Sequence, residues 1–385
     1  MDHARGWAPR ADLAAHAAAQ HRRGAARGVL SRAEALHSGE RVNSDPRRAG
    51  LKRRTEALID RLSDGSRDDA ALDRLLRDLA EWQAERVAPY GRLCASWTRG
   101  GLAPAVPTDV FRHVRIAGHD EHMDVRRFLT SGTAGGLRGQ HSLRDLTLYD
   151  RAARAAAEFA LFLGGERMHL VVLAPHPDEA PESSLSYMLG RFEAWFSTGV
   201  DWVFPIDARL GRVLDAATGP VALLGTSFAF VHAEDLLGRR FALPDGSRVM
   251  QTGGFKGRSR EVAPAALRRA IGERYGIAQD RIIAEYGMTE LSSQMYELNL
   301  RGASHRRLWV PGWVRARVVD PQTLRPLPDG ASGILRLDDA ANLDTVCAIQ
   351  TSDLAIMHGQ EIELLGRAPG AVPRGCSLAV EEALG

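Results

Sequence analysis

At 385 residues, with 44% hydrophobic and 25% charged side chains, the chain has an ordinary globular composition and room for one large core or two smaller ones. Its three cysteines, Cys94, Cys347 and Cys376, stand far apart, which argues against a disulfide framework or a structural zinc site and fits a reducing cytoplasm. Net charge is +2, but residues 1–54 carry +7 and the rest −5, so the body of the chain is not a nucleic-acid surface; no apolar run approaches the roughly 20 residues of a membrane span.

The first ~50 residues, rich in Ala, Arg and His and poor in large apolar side chains, read as a mobile or loosely helical extension over 1–54. From Ser66 to Arg92, Leu72, Leu75, Leu76, Leu79 and Trp82 follow helical spacing and predict an amphipathic helix. A Pro-containing turn at 103–107 comes before the first glycine-rich stretch. Then helices near 144–163, 184–197 and 263–275 alternate with strands at 168–174, 201–204, 220–224 and 281–285. This alternation predicts an α/β core over 55–305 with a largely parallel sheet. The shorter strands and turns after 305 read as a small β-rich subdomain, 306–385.

Only Lys52 and Lys256 are lysines among the 50 basic residues. Arginine clamps anions but does not deprotonate in the working range, so a mechanism needing a lysine base or Schiff base has two candidates. In Thr130-Ser131-Gly132-Thr133-Ala134-Gly135-Gly136-Leu137-Arg138, hydroxyls, glycines and an arginine can cradle phosphate, although the Walker spacing is absent; a plain loop is the other reading. Glu285-Tyr286-Gly287-Met288-Thr289-Glu290 follows a buried strand, where open α/β sheets bind ligands. Tyr286 offers an aromatic face and Glu290 a hard oxygen for Mg²⁺, or the stretch is a turn with a capping glutamate. His141, His169, His176 and His232 have no metal-ligand spacing and read as satisfied histidines. Segments 183–188 and 225–230 mix small, hydroxyl and apolar residues, as an acid-binding slot or as ordinary packing.

With Thr351-Ser352-Asp353 and Gly366-Arg367, these stretches resemble the core motifs of the adenylate-forming superfamily, in order and spacing. Within it, FLTSGTAG, QTGGFKGR, EYGMTELSSQ and GRAPGAVPRGCSLAV are similar to the acyl-protein synthetase (LuxE) family over about residues 85–385. The resemblance implies an adenylate-forming N-terminal-domain-like fold, without the usual mobile C-terminal domain and its lysine. It implies ATP- and Mg²⁺-dependent activation of a fatty or other apolar carboxylic acid to acyl-AMP. Thr130, Ser131, Gly132, Thr133, Gly135 and Arg138 would hold phosphates, Gly253 and Gly254 would pass the adenine, and Tyr286 would stack near it, flanked by Gly287 and Met288. Thr289 would touch the α-phosphate, Glu290 would hold Mg²⁺, and Asp353 with Arg367 would bind ribose. Ser184, Gly225, Thr226 and Phe228 would line the acid site. Arg138 stands where such ligases carry lysine, and Ala134 where they carry a second threonine.

In the resembled family a C-terminal cysteine takes the acyl chain as a thioester and passes it to a partner reductase or carrier protein, and Cys376 occupies the matching stretch; Arg374 would lower its pKa. Cys376 as a packing residue is the alternative. Direct transfer from the adenylate to an amine, carrier thiol or coenzyme A, and a non-catalytic nucleotide-binding scaffold, are the competing functions. No nucleic-acid or membrane partner is expected.

Overall fold

The computed structural model describes residues 45–98, 101–130, 137–253 and 263–368. The expectation for residues 1–44 lies outside them. In chain order the helices are α1 (Pro46–Arg61), α2 (Asp69–Arg86), α3 (Ala88–Leu93), α4 (Thr147–Ala160), α5 (Ser184–Phe196), α6 (Ala208–Asp215), α7 (Ser227–Leu237) and α8 (Pro264–Tyr275). The first strands are β1 (Val106–Pro107), β2 (Arg126–Leu129), β3 (Gln140–Leu143), β4 (Met168–Leu173), β5 (Ser197–Trp202), β6 (Val221–Thr226), β7 (Arg248–Thr252) and β8 (Ile282–Tyr286). They are followed by β9 (Met295–Glu297), β10 (Leu308–Trp309), β11 (Val314–Val319), β12 (Ser332–Asp339), β13 (Ala348–His358) and β14 (Glu361–Arg367).

Strands β5, β4, β6, β7 and β8 lie side by side in that order, all parallel. The apolar runs of β4, β6, β7 and β8 are buried on both faces, as parallel sheets require, while the edge strand β5 is mostly half-buried. Leu170, Val172, Ala222, Leu224, Met250 and Ile283 pack on one face with Ala152, Ala156, Leu189 and Phe192 of α4 and α5. Val171, Leu173, Val221, Leu223, Val249 and Ile282 pack on the other with Leu210, Phe230, Leu267 and Ile271 of α6, α7 and α8. Because β5 lies outside β4, the chain crosses back to reach β6, the kind of reversal beside which open α/β sheets bind ligands at the strands' carboxyl ends.

Two expected boundaries shift. Helix α1 runs through residue 54, because Leu51, Thr55, Leu58 and Ile59 recur at helical spacing and are buried. Gly50–Gly385 is one compact unit. Of the other, Met1–Ala49, the described residues are the opening of α1, where Asp45 Oδ1 accepts from the backbone N–H groups of Arg47 and Arg48 at 2.9 and 3.2 Å. The strands after 305 do not form a sheet of their own. β10 pairs with β9 on one side and β14 on the other, so β14, β13, β12 and β11 extend the sheet antiparallel. The helix expected over 66–92 divides at Val87, because Pro89 cannot continue the hydrogen-bond ladder and opens α3 instead.

Helix α2 starts at Asp68, whose side chain accepts from Ala71 N at 2.9 Å, and buries the leucines and Trp82 of the predicted stripe. Gln83 on the same face is fully buried. Its Nε2 donates to the carbonyls of Asn342 and Leu343 at 2.7 and 3.1 Å, and its Oε1 accepts from Cys347 N at 2.9 Å. Among the described residues no helix is long and apolar enough to cross a membrane. Gln83→Met leaves three backbone groups unpaired in the interior and should cost about 3 kcal/mol of unfolding free energy. Urea denaturation checks this, and a loss below about 1 kcal/mol would contradict the assigned role.

Candidate active site

Three separated motifs converge at the end of β8. Asp353 and Arg367 are cross-strand partners on β13 and β14, beside Gly366, whose φ of +120° suits glycine. The Tyr286 hydroxyl donates to Asp353 Oδ2 at 2.8 Å, and Arg367 Nε lies 3.4 Å from Asp353 Oδ1. Burial, then the neighbouring carboxylate, pushes the Tyr286 hydroxyl well above its usual range, so it stays a donor. Arg367 Nη1 is buried without a hydrogen-bond partner among the described residues.

Beyond Tyr286 the chain leaves the sheet, and side chains from elsewhere hold it. His141, on β3, is fully buried; its Nδ1–H must donate to the Thr289 carbonyl at 2.6 Å, since a carbonyl only accepts. That leaves Nε2 to accept from the Thr345 hydroxyl at 3.1 Å. Asn342 Nδ2 donates to the Glu290 carbonyl at 2.8 Å. Asp339 accepts from Ser292 N at 3.1 Å and from the Ser293 hydroxyl at 2.8 Å, and Trp313 Nε1 donates to that hydroxyl at 3.0 Å. Burial lowers the His141 pKa to about 4 and raises that of Asp339 to about 6, both toward the neutral form. Thr289 and Glu290 are buried, and the Glu290 carboxylate is close enough to raise the Tyr286 pKa.

At the base of the hydroxyl-glycine loop, Thr130 and Gly139 bond to each other. Thr130 N donates to Gly139 O at 2.8 Å, and Gly139 N to Thr130 Oγ1 at 2.7 Å. Arg138 Nε donates to Thr130 O at 2.7 Å while its Nη1 pairs with Glu182 at 2.9 Å. Gly253, with φ +70°, follows β7, and its carbonyl accepts from the Ser227 hydroxyl at 2.7 Å. Ser131, Gly132, Thr133, Gly135, Gly254, Lys256 and Cys376 lie outside the described residues.

The segments expected to line an acid slot are divided. Ser184 is buried at the start of α5, its carbonyl accepting from the Tyr149 hydroxyl at 3.2 Å. Thr226 caps α7, accepting from Ala229 N at 3.1 Å, and a Cβ at Gly225 would stand 3.0 Å from that of Leu173. Phe228 packs on the α6–α8 face, away from Ser184, and stacks on His232. Sequence reasoning quoted Thr252 within QTGGFKGR without a role, passed over Tyr296, Asp339 and Asn342, and read His141 only as a satisfied histidine. Glu285, quoted within its motif without a role, is buried, accepts from the Thr252 hydroxyl, and has its pKa raised by burial to about 7. Cys94 and Cys347 are free thiols whose pKa values burial raises, as packing residues.

The unfolded chain protonates His141 more readily than the fold does, so its contribution to stability is lost as pH falls from 6.5 to about 4. The stability difference between wild type and His141→Gln should therefore shrink by about 3 kcal/mol across that window. Denaturant unfolding at both ends measures it, and a constant difference would show that His141 does not titrate in this way.

The sequence model described as "Acyl-protein synthetase, LuxE" matches residues 101–385. The long-chain-fatty-acid–luciferin-component ligase of Vibrio harveyi is 22% identical over 343 residues, 80% of this chain and 87% of that protein. The enzyme of the same name from Aliivibrio fischeri is 22% identical over 342 residues, with the same coverage. Among solved structures, an open form of 2-hydroxyisobutyryl-CoA ligase with 2-HIB-AMP and CoA aligns with TM-score 0.60 and 18% identity, covering 80% of this chain and 76% of its own. A postadenylation form of that ligase also gives 0.60, at 17% identity, covering 79% and 69%. The fold is thus the adenylate-forming one that the motifs implied. With nearly three quarters of its length matched, this chain belongs to the acyl-protein synthetase (LuxE) family of enzymes.

Proposed function

We propose that this protein activates a fatty or other carboxylic acid with ATP, releasing pyrophosphate, and passes the acyl group from the adenylate to the Cys376 thiolate with release of AMP, and on to a partner reductase or carrier protein. The observation that carries this reading is the convergence of Tyr286, Asp353 and Arg367 from three distant motifs at the carboxyl end of β8. An aspartate held by a tyrosine on one oxygen and an arginine on the other keeps acceptor capacity for the two hydroxyls of a ribose. The Tyr286 ring would lie against the adenine, along the backbone at Gly253 and Gly254.

In-line attack by a carboxylate on the α-phosphorus needs positioning and charge neutralisation more than covalent help. Thr289, its carbonyl fixed by His141, would direct its side chain to the α-phosphate. Arg138, its Nε already on Thr130 O, would offer its remaining donors to phosphate oxygens at the loop from Thr130 to Arg138. Among the described residues no three His, Cys, Asp or Glu side chains gather into a metal cage. Mg²⁺ does not need one, because it binds through one or two carboxylates plus substrate phosphates, and the buried Glu290 carboxylate near Tyr286 fits that donor set. Bound there, the ion would neutralise triphosphate charge. A thioester role for Cys376 would require its thiol to stay reduced, which supports the expectation of a reducing cytoplasm.

Incubation with Mg²⁺, ATP and a panel of carboxylic acids should give pyrophosphate and a hydroxylamine-labile acyl adduct on the intact protein, absent from Cys376→Ala. Pyrophosphate without an adduct would discard the thioester and favour direct transfer to an amine, carrier thiol or coenzyme A. Separately, Asp353→Asn should raise the KM for ATP roughly 10- to 100-fold, as expected for loss of charge-assisted hydrogen bonds. An unchanged KM in steady-state assays would remove Asp353 from the nucleotide site.

A further inference from the structure

Buried polar atoms are almost always paired in native proteins, and two acceptor oxygens facing one spot invite a donor. At the carboxyl ends of β7 and β8 several such atoms come together. Glu285 is the cross-strand partner of Tyr296 and the registered neighbour of Thr252, so all three side chains share the α4–α5 face of the sheet. Thr252 satisfies one Glu285 oxygen. The other, Oε1, lies against Gly287, close enough that a Cβ there would stand 2.7 Å away, and Gln294 Cγ would meet the same Cβ at 3.5 Å. Gln294 Oε1 and the hydroxyl of the fully buried Tyr296 have no hydrogen-bond partner among the described residues. The Tyr296 hydroxyl is within electrostatic reach of both Glu285 and Tyr149, and Tyr149 in turn bonds Ser184 at the start of α5.

Glu285 immediately precedes Tyr286 and its Oε1 lies against Gly287, two residues before Thr289, so an acid reacting near Thr289 would come close to this set. An unadorned alkyl chain there would leave Gln294 Oε1 and the Tyr296 hydroxyl without a substrate partner and would favour the neutral form of Glu285, whereas a donor on the chain would let Glu285 accept as a carboxylate. We propose that the acid activated by this protein carries a hydroxyl or amino group on its chain, received by Glu285, Gln294 and the Tyr296 hydroxyl. This inference rests on the adenylation reading above and narrows its substrate to donor-bearing acids.

The test is pyrophosphate release with Mg²⁺, ATP and matched acids: short- and medium-chain alkanoates beside their hydroxy and amino counterparts. Wild type should show kcat/KM at least about tenfold higher for the best donor-bearing acid than for its unsubstituted parent, the selectivity of a site built to hydrogen-bond its substrate. Tyr296→Phe and Glu285→Gln should each shrink that ratio, and Glu285→Gln should suppress an amino acid more than a hydroxy acid, since only the amine brings a charge. A ratio near one, as when water fills the set, or a ratio unmoved by both variants, overturns the proposal and leaves adenylation standing. Failure of every acid to release pyrophosphate removes the adenylation reading and this inference with it. Independently of activity, Tyr296→Phe should melt no lower than wild type, because its hydroxyl bonds nothing in the protein. A drop of about 5 °C or more would make the hydroxyl structural and overturn the assignment.

Discussion

Backbone that leaves a sheet in the interior must find new partners for its amides and carbonyls, and the candidate active site is shaped by that requirement. Residues 287–294 run from the end of β8 to the start of β9, and Thr289 through Gln294 are buried. His141, Asn342 and Asp339 supply what a ladder would have supplied, from β3, from the turn after β12 and from the end of β12 itself. Gln83 holds that turn from beneath. The position of Thr289 and Glu290 is therefore set by residues spread from 83 to 342, none of which belongs to a recognisable motif.

The parts of the fold that could be read in the sequence are those specified locally. The apolar runs around Val171, Leu223 and Ile283 announce strands because each is short and bounded by turns, and the leucines of α2 announce a helix by their spacing. Pro89 could have announced the break at Val87. The continuation of the sheet past 305 was not legible, because the pairing of β10 with both β9 and β14 depends on which edges are free, a property of the assembled sheet. In the site, resemblance singled out the motif residues, while nothing in the sequence pointed to their bonding partners. His141 looks like any histidine until Thr289, 148 positions away, is placed on its ring nitrogen. Glu285 looks like a solvent-facing strand residue until β7 and β9 close on either side of it.

Arg138 shows how a substitution within a familiar pattern can carry its own geometry. A lysine at that position would present one ammonium on a flexible stem. The guanidinium instead spans two anchors, the Thr130 carbonyl and the Glu182 carboxylate, and Glu182 is itself tied to the loop because its carbonyl accepts from Leu129 N at 2.9 Å. The base of the hydroxyl-glycine loop and the turn leading into α5 are thereby joined, and α5 is the helix that carries Ser184. In this chain the base of the hydroxyl-glycine loop and the start of α5 share a support.

The continuity of the sheet through β9, β10 and β14 also bears on how the protein can be divided. Tyr286 and Asp353 belong to strands of one sheet, with β9, β10 and β14 between them. Cutting the chain at 305 would separate β9 from β10 and leave each, on its own fragment, with unpaired N–H and C=O groups along the edge that faced the other. Exposed strand edges of that kind pair with whatever strand is at hand. Fragments made at this point would therefore be sticky halves that reassemble or aggregate, and a split reporter built from this protein would need its break elsewhere.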